Sequence, residues 1–149
     1  MKRMSLGFLL CMSSVSFLCR ADFHYTMSAK IPHRSMIKAY CFTFSDEQKP
    51  KIAPNIENNT SDLIKWEKGS GSCSLEHSIS CLGYKEGPPN GIEAGGNPPQ
   101  FLFQEPIKTS ITVYLNFFEE KTNEEIEGYK KNMRNGCRKA GGRYRDNSN

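Results

Sequence analysis

Catalytic vocabulary is sparse in these 149 residues, which carry three histidines and one tryptophan. There is no Gly-x-Ser-x-Gly turn to hold a nucleophilic serine, no Gly-x4-Gly-Lys loop to cradle phosphate and no His-Glu-x2-His pair to hold zinc. Those absences remove the commonest hydrolase, nucleotide-binding and metalloprotease readings. A membrane span is missing too. The uncharged apolar stretch at residues 6–18 falls short of the roughly 20 residues needed to cross the hydrocarbon, and nothing later competes with it. Charge of one sign is also lacking: 20 Lys and Arg stand against 16 Asp and Glu, a net +4.

What is present at the start has a definite order. Met1-Lys2-Arg3 is a short positive opening, the uncharged apolar stretch follows, and Cys19-Arg20-Ala21 places small residues where a signal peptidase reads. Residues 1–21 therefore read as a signal peptide cut after Ala21. Arg20 is an awkward neighbour for a cleavage site, so a retained anchor is the alternative. Cleavage removes Lys2, Arg3 and Arg20 but no acid, leaving 17 bases against 16 acids, a net +1. A nearly neutral mature chain, residues 22–149, has no global electrostatic footprint for nucleic acid or an anionic membrane. No nucleic-acid partner and no stable membrane span after cleavage are expected.

Cys11 and Cys19 leave with the signal, while Cys41, Cys73, Cys81 and Cys137 remain. Four cysteines in an exported chain of this size predict two disulfides, with three pairings allowed. The pairing expected is Cys41 with Cys137, tying a strand to the helix, and Cys73 with Cys81, closing a hairpin. Each cross-link contributes about 2–4 kcal/mol.

Periodicity organises the mature chain as a single domain. Phe23, Tyr25, Met27 and Ala29 alternate with polar residues, predicting a half-buried strand. Residues 36–44 are apolar on both faces, as in a central strand. Residues 45–61 read as a loop, and Leu63, Ile64 and Trp66 as a short strand before a flexible run at 69–72. Residues 73–84 are either one strand or a hairpin turning near His77. As one strand, it would hold Cys73 and Cys81 about 26 Å apart. Residues 85–100 contain four prolines and four glycines, which predicts an exposed Pro/Gly-rich loop. Ile111, Val113, Leu115 and Phe117 form the cleanest strand face. At the C-terminal side Thr122 and Glu125 spell a capping box, and Ile126, Tyr129, Met133 and Cys137 form one helical stripe. Acids lead and bases close that helix, Gly141-Gly142 stops it, and residues 143–149 read as a flexible tail. The fold expected is α+β: an antiparallel sheet of five or six strands with one C-terminal helix packed on it, stabilised by disulfides.

Three constellations bear on function. On a helix, Cys73, His77 and Cys81 would share a face and offer two thiolates and an imidazole to zinc. Their Ser- and Gly-rich flanks and the oxidising route of an exported chain favour disulfides, so no metal and no cofactor are expected. His24 and His33 read as a strand and a turn residue, and His77 beside Glu76 points away from it if both lie on a strand. No catalytic residue is therefore assigned. Residues 130–149 hold seven bases and one acid, Asp146, a surface suited to an anionic partner or simply a charged helix end.

These features favour an exported protein that acts by binding a partner, protein or glycan, in the manner of an effector, adhesin or inhibitor. The candidate surfaces are Pro88, Pro89, Asn90 and Asn97 of the loop, and Arg138, Lys139, Arg143, Tyr144 and Arg145 of the basic end. Asn58 and Asn59 each begin an Asn-X-Ser/Thr triplet, an acceptor for glycans in a eukaryotic secretory route. The alternatives are an exported hydrolase or ribonuclease with a dispersed site, and a structural, envelope-associated protein.

Overall fold

A computed structural model describes residues 22–52, 56–58, 61–86, 93–95, 100–101, 103 and 105–149. The segment read as a signal peptide lies outside the described residues, as do Pro88, Pro89, Asn90, Asn97 and Asn59.

Six strands form one antiparallel sheet: β1 (Asp22–Lys30), β2 (Met36–Ser45), β3 (Ile64–Ser70), β4 (Ser78–Glu86), β7 (Ile107–Tyr114) and β8 (Arg143–Asn147), in the spatial order β3-β1-β2-β7-β4-β8. Two short strands, β5 (Glu93–Gly95) and β6 (Gln100–Phe101), pair with each other apart from it. One helix, α1 (Asn123–Lys139), packs on the β4–β8 side. This is the α+β, disulfide-bonded architecture expected from the pattern.

Alternation set the sides of the sheet. Phe23, Tyr25 and Met27 face the same way as their β2 partners Phe44, Phe42 and Tyr40, and as Ile111, Val113, Ile79 and Cys81 beyond them. This is the core face. Phe42 stacks on Trp66 at 6.3 Å, and Phe103 meets Phe42 and Phe44 edge-on at 6.1 and 5.9 Å. Ile52 bridges Phe103, and Ile56 is fully buried. The segment expected to be loop between β2 and β3 thus supplies core residues, through 3-10 turns at Asp46–Lys51 and Ile56–Asn58. Tyr25, buried and bonded to Glu57, has its phenol pushed up to about 12.

The opposite face is also covered, but with small polar side chains: Thr26, Ser28, Ser80 and Thr112 are all buried. β3 and β4 are separated by three strands, so residues 71–77 must cross the sheet to connect them. They cross on this back face. The Cys73 amide donates to Thr43 Oγ1 at 2.9 Å, and its sulfur is bonded to Cys41 of β2.

Several expectations need correction. The disulfides are Cys41–Cys73 and Cys81–Cys137, with Cα–Cα separations of 5.9 and 5.5 Å. The chain does turn at Glu76 and His77, yet Cys73 lies in the crossing strap and not in a strand facing Cys81. Gly69 and Ser70 belong to β3, paired with His24 and Phe23 of β1, and are not part of a flexible run. Regular structure enters the 85–100 segment, since β4 runs to Glu86 and β5 and β6 follow. β7 stops at Tyr114, and Leu115–Phe118 wind into a 3-10 turn that sets Phe118 against Tyr129 at 4.6 Å. The tail is a sheet strand, β8.

Candidate functional site: the C-terminal edge of the sheet

The route to β8 begins with α1, which forms as its residues dictate. Thr122 Oγ1 accepts from the Glu125 amide at 3.2 Å, and the Glu125 carboxylate accepts from the Thr122 amide at 2.8 Å. Ile126, Tyr129 and Met133 pack on the core, and Cys137 is buried. The helix ends in a Schellman motif: the Gly142 amide donates to the Cys137 carbonyl at 2.8 Å and the Gly141 amide to the Arg138 carbonyl at 3.1 Å. Gly141 takes the left-handed φ of 77° that this stop needs. The chain then reverses and lies along β4, pairing Arg143 with Leu82 through to Asn147 with Ser78.

Three side-chain contacts hold the strand there. Lys130, only 8% exposed, reaches Glu127 at 3.1 Å and Asp146 at 3.3 Å, and donates to Ser148 Oγ at 3.0 Å. Burial works against its ammonium, but bonds to Glu127 and Asp146 outweigh that and raise its pKa. Burial likewise opposes the Asp146 carboxylate, but Ser148 and Lys130 hold it below its ordinary range. Arg134 sits 5.0 Å above the Tyr144 ring. Two of the seven bases at this end are therefore spent on structure. Lys130 and Arg134 secure β8, and Tyr144 turns inward with Cys81 instead of outward to a partner.

Arg143 and Arg145 are different. They are exposed and share the register of Leu82 and Ser80, on the face opposite α1. Arg138 lies on the outer helix surface with Lys131 and Arg134, interleaved with Glu124 and Glu127. The sequence's single basic patch thus divides into two, a helix portion interleaved with acids and a strand portion. Among the described residues no strand pairs with the outer edge of β8.

The other candidates lie apart. His24 Nδ1 bonds the Gly71 carbonyl at 3.0 Å, His33 sits at the tip of the β1–β2 turn, and His77 in the turn before β4. His33 and His77 adopt φ of 66° and 48°. Cys73, His77 and Cys81 do not share a helix face, and both sulfurs are committed to different disulfides. Asn58 is exposed at the end of a 3-10 turn. No helix among the described residues is long and apolar enough to cross a membrane.

Comparison with known proteins adds no analogy: no family model, curated protein or solved structure matches the chain. Two disulfides are compatible with an extracellular or periplasmic location.

Proposed function

We propose that this chain is an exported protein that works by binding, and that it captures an extended, acidic segment of a partner protein along the free edge of β8. The observation that carries this reading is the edge itself: a terminal strand with no outer neighbour among the described residues, carrying Arg143 and Arg145 on one face. The strand is preformed. Cys81–Cys137, the Lys130 contacts and the ladder to β4 order it before any partner arrives, which lowers the entropy cost of association. An added strand takes main-chain bonds from such an edge, while side chains at every second position give specificity. Acids two residues apart would meet Arg143 and Arg145 together. Export is supported by the charged-then-apolar opening and by the oxidised cysteines.

The test compares two synthetic peptides of one composition, one with glutamates at alternate positions and one with them adjacent. The alternate peptide should bind more tightly, and R143E/R145E should weaken it by more than about tenfold with the melting temperature unchanged. Equal binding of both peptides, or indifference to the double reversal, would reject the edge. Capture of a sulfated oligosaccharide in place of either peptide, lost in the same variant, would move the partner from protein to glycan.

A further inference from the structure

The sheet face turned away from α1 changes character along its width. Over β2 the strap carrying Cys73 crosses it, and the hydroxyl side chains there are buried. Farther across, on β7, β4 and β8, the face becomes basic. Lys108 of β7 stands directly opposite Lys85 of β4, and Arg143 and Arg145 of β8 stand opposite Leu82 and Ser80. Alternation places these residues out of phase with buried Ile107, Ile111 and Cys81, so they share the side away from the core. All four cations are exposed.

Folding alone gives no reason for this cluster. Like charges directly opposite destabilise a ladder, yet Lys85 and Lys108 are paired. None of the four makes an ion pair among the described residues. Asp146, the acid of β8, is held by Lys130 on the other face, and Glu86 stands opposite buried Ile107. The backbone also draws the cations together. A bulge in β4 puts Gly83 at a left-handed φ of 66°, and its amide donates to Ser110 Oγ at 3.0 Å. A Cβ on Gly83 would lie 3.2 Å from Lys108 Cε and 4.0 Å from its Nζ. Lys108 therefore lies across β4, in the direction of β8.

The layout selects the kind of ligand. A strand added outside β8 would lie about 5 Å from the arginine row, but about 10 and 14 Å from the rows of Lys85 and Lys108. A ligand that meets all four must lie across the strands and carry anions along its length. Leu82, Gly83 and Ser110 between the cations offer no ring for a base to stack on. The exposed large apolar residues, Met36 and Leu63, are not on these strands, so a bilayer finds nothing to insert here. We propose that the β7–β4–β8 face binds a sulfated polysaccharide, laid across the strands with its sulfates at Lys108, Lys85, Arg143 and Arg145. This ligand is additional to the strand captured at the β8 edge; the two share the arginines but not the lysines.

A heparin octasaccharide, titrated into the disulfide-bonded chain at rising salt, should bind with log K falling against log salt at a slope of about −3. That slope follows from four contacts at roughly 0.7–0.9 each on a polyanion. Lys85→Gln combined with Lys108→Gln should weaken binding about tenfold and halve the slope. The melting temperature should stay equal or rise, because a repulsion is removed. The same variant should bind the alternate-glutamate peptide as the native chain does, so failure of this face and failure of the edge are told apart. No binding of the octasaccharide, an affinity and slope unchanged in the double variant, or equally tight binding of single-stranded DNA of matched charge would each overturn the proposal.

Discussion

Replacing Gly142 by alanine measures how closely the last strand is fitted against the disulfide behind it. A Cβ at this position would lie 2.5 Å from Cys81 Sγ, 2.9 Å from Cys137 Sγ and 2.9 Å from Tyr84 Cβ. None of these atoms is the free end of a flexible side chain. Two belong to a cross-link closing a span of 56 residues, and the third is rooted in β4. Overpacking of this kind costs about 1–3 kcal/mol, offset by about 0.4–1 kcal/mol because alanine restricts the unfolded chain. The net expectation is a loss of about 1–2 kcal/mol, or roughly 3–8 °C in melting temperature for a domain of this size. The variant should be made in the native background and with Cys81 and Cys137 both changed to alanine, each unfolded in urea. Removing the disulfide alone costs about 4 kcal/mol on loop entropy. In its absence two of the three clashing atoms are gone, and most of the Gly142→Ala penalty should go with them. Gly141→Ala is the control: its left-handed φ of 77° costs about 1 kcal/mol in either background. A Gly142→Ala penalty of the same size with and without the disulfide would refute the contact as its cause.

Lys130→Met should cost about 1–3 kcal/mol by leaving Asp146 and Ser148 without their buried partner, and amide exchange should show protection lost in β8 before β1 and β2. Asp146 has a lowered folded pKa, so its stabilisation is present above the ordinary carboxylate value near 3.9 and lost as pH falls through the folded value. The difference in melting temperature between the native chain and Asp146→Asn should therefore hold at pH 6 and shrink progressively as pH falls below the ordinary carboxylate value; a difference independent of pH would exclude the charge as its source. His33 follows Pro32 in a turn closed by the Arg34 amide on the Ile31 carbonyl at 3.0 Å, and its φ of 66° suits glycine. His33→Gly should be stabilising by about 0.5–1 kcal/mol in denaturant, and a loss would show that the histidine ring makes a favourable contact. Non-reducing peptide mapping should join Cys41 to Cys73 and Cys81 to Cys137; any other pair would contradict the strap crossing the back face.

Helix α1 was readable from residues alone because everything that defines it is local. The Thr122–Glu125 box, the stripe from Ile126 to Met133 and the two-glycine stop act within one or two turns. β1 and the inward positions of β7 were readable for the same reason, since period-two alternation reports one buried face. Local pattern also carried the fold class, although β8, the sixth strand of the sheet, was not among the strands it marked. It failed where burial comes from contacts remote in sequence. Ile52 and Ile56 stand among prolines, polar residues and turns, and only their seat in the aromatic cluster makes them core. Arg143-Tyr144-Arg145-Asp146-Asn147 has the composition of a solvated tail. It becomes a strand because β4 offers an edge and Lys130 a buried anchor.

The disulfides show the division most clearly. Residue types and the opening segment by themselves determined that four cysteines should form two bonds. Which sulfurs meet was decided by the sheet order, which places β3 and β4 three strands apart and sends the connection across β2. That crossing brings Cys73 onto Cys41, and the helix packing against β4 brings Cys137 onto Cys81. A disulfide needs its Cα atoms within about 7 Å, and that proximity between distant parts of the chain exists only once the sheet has formed.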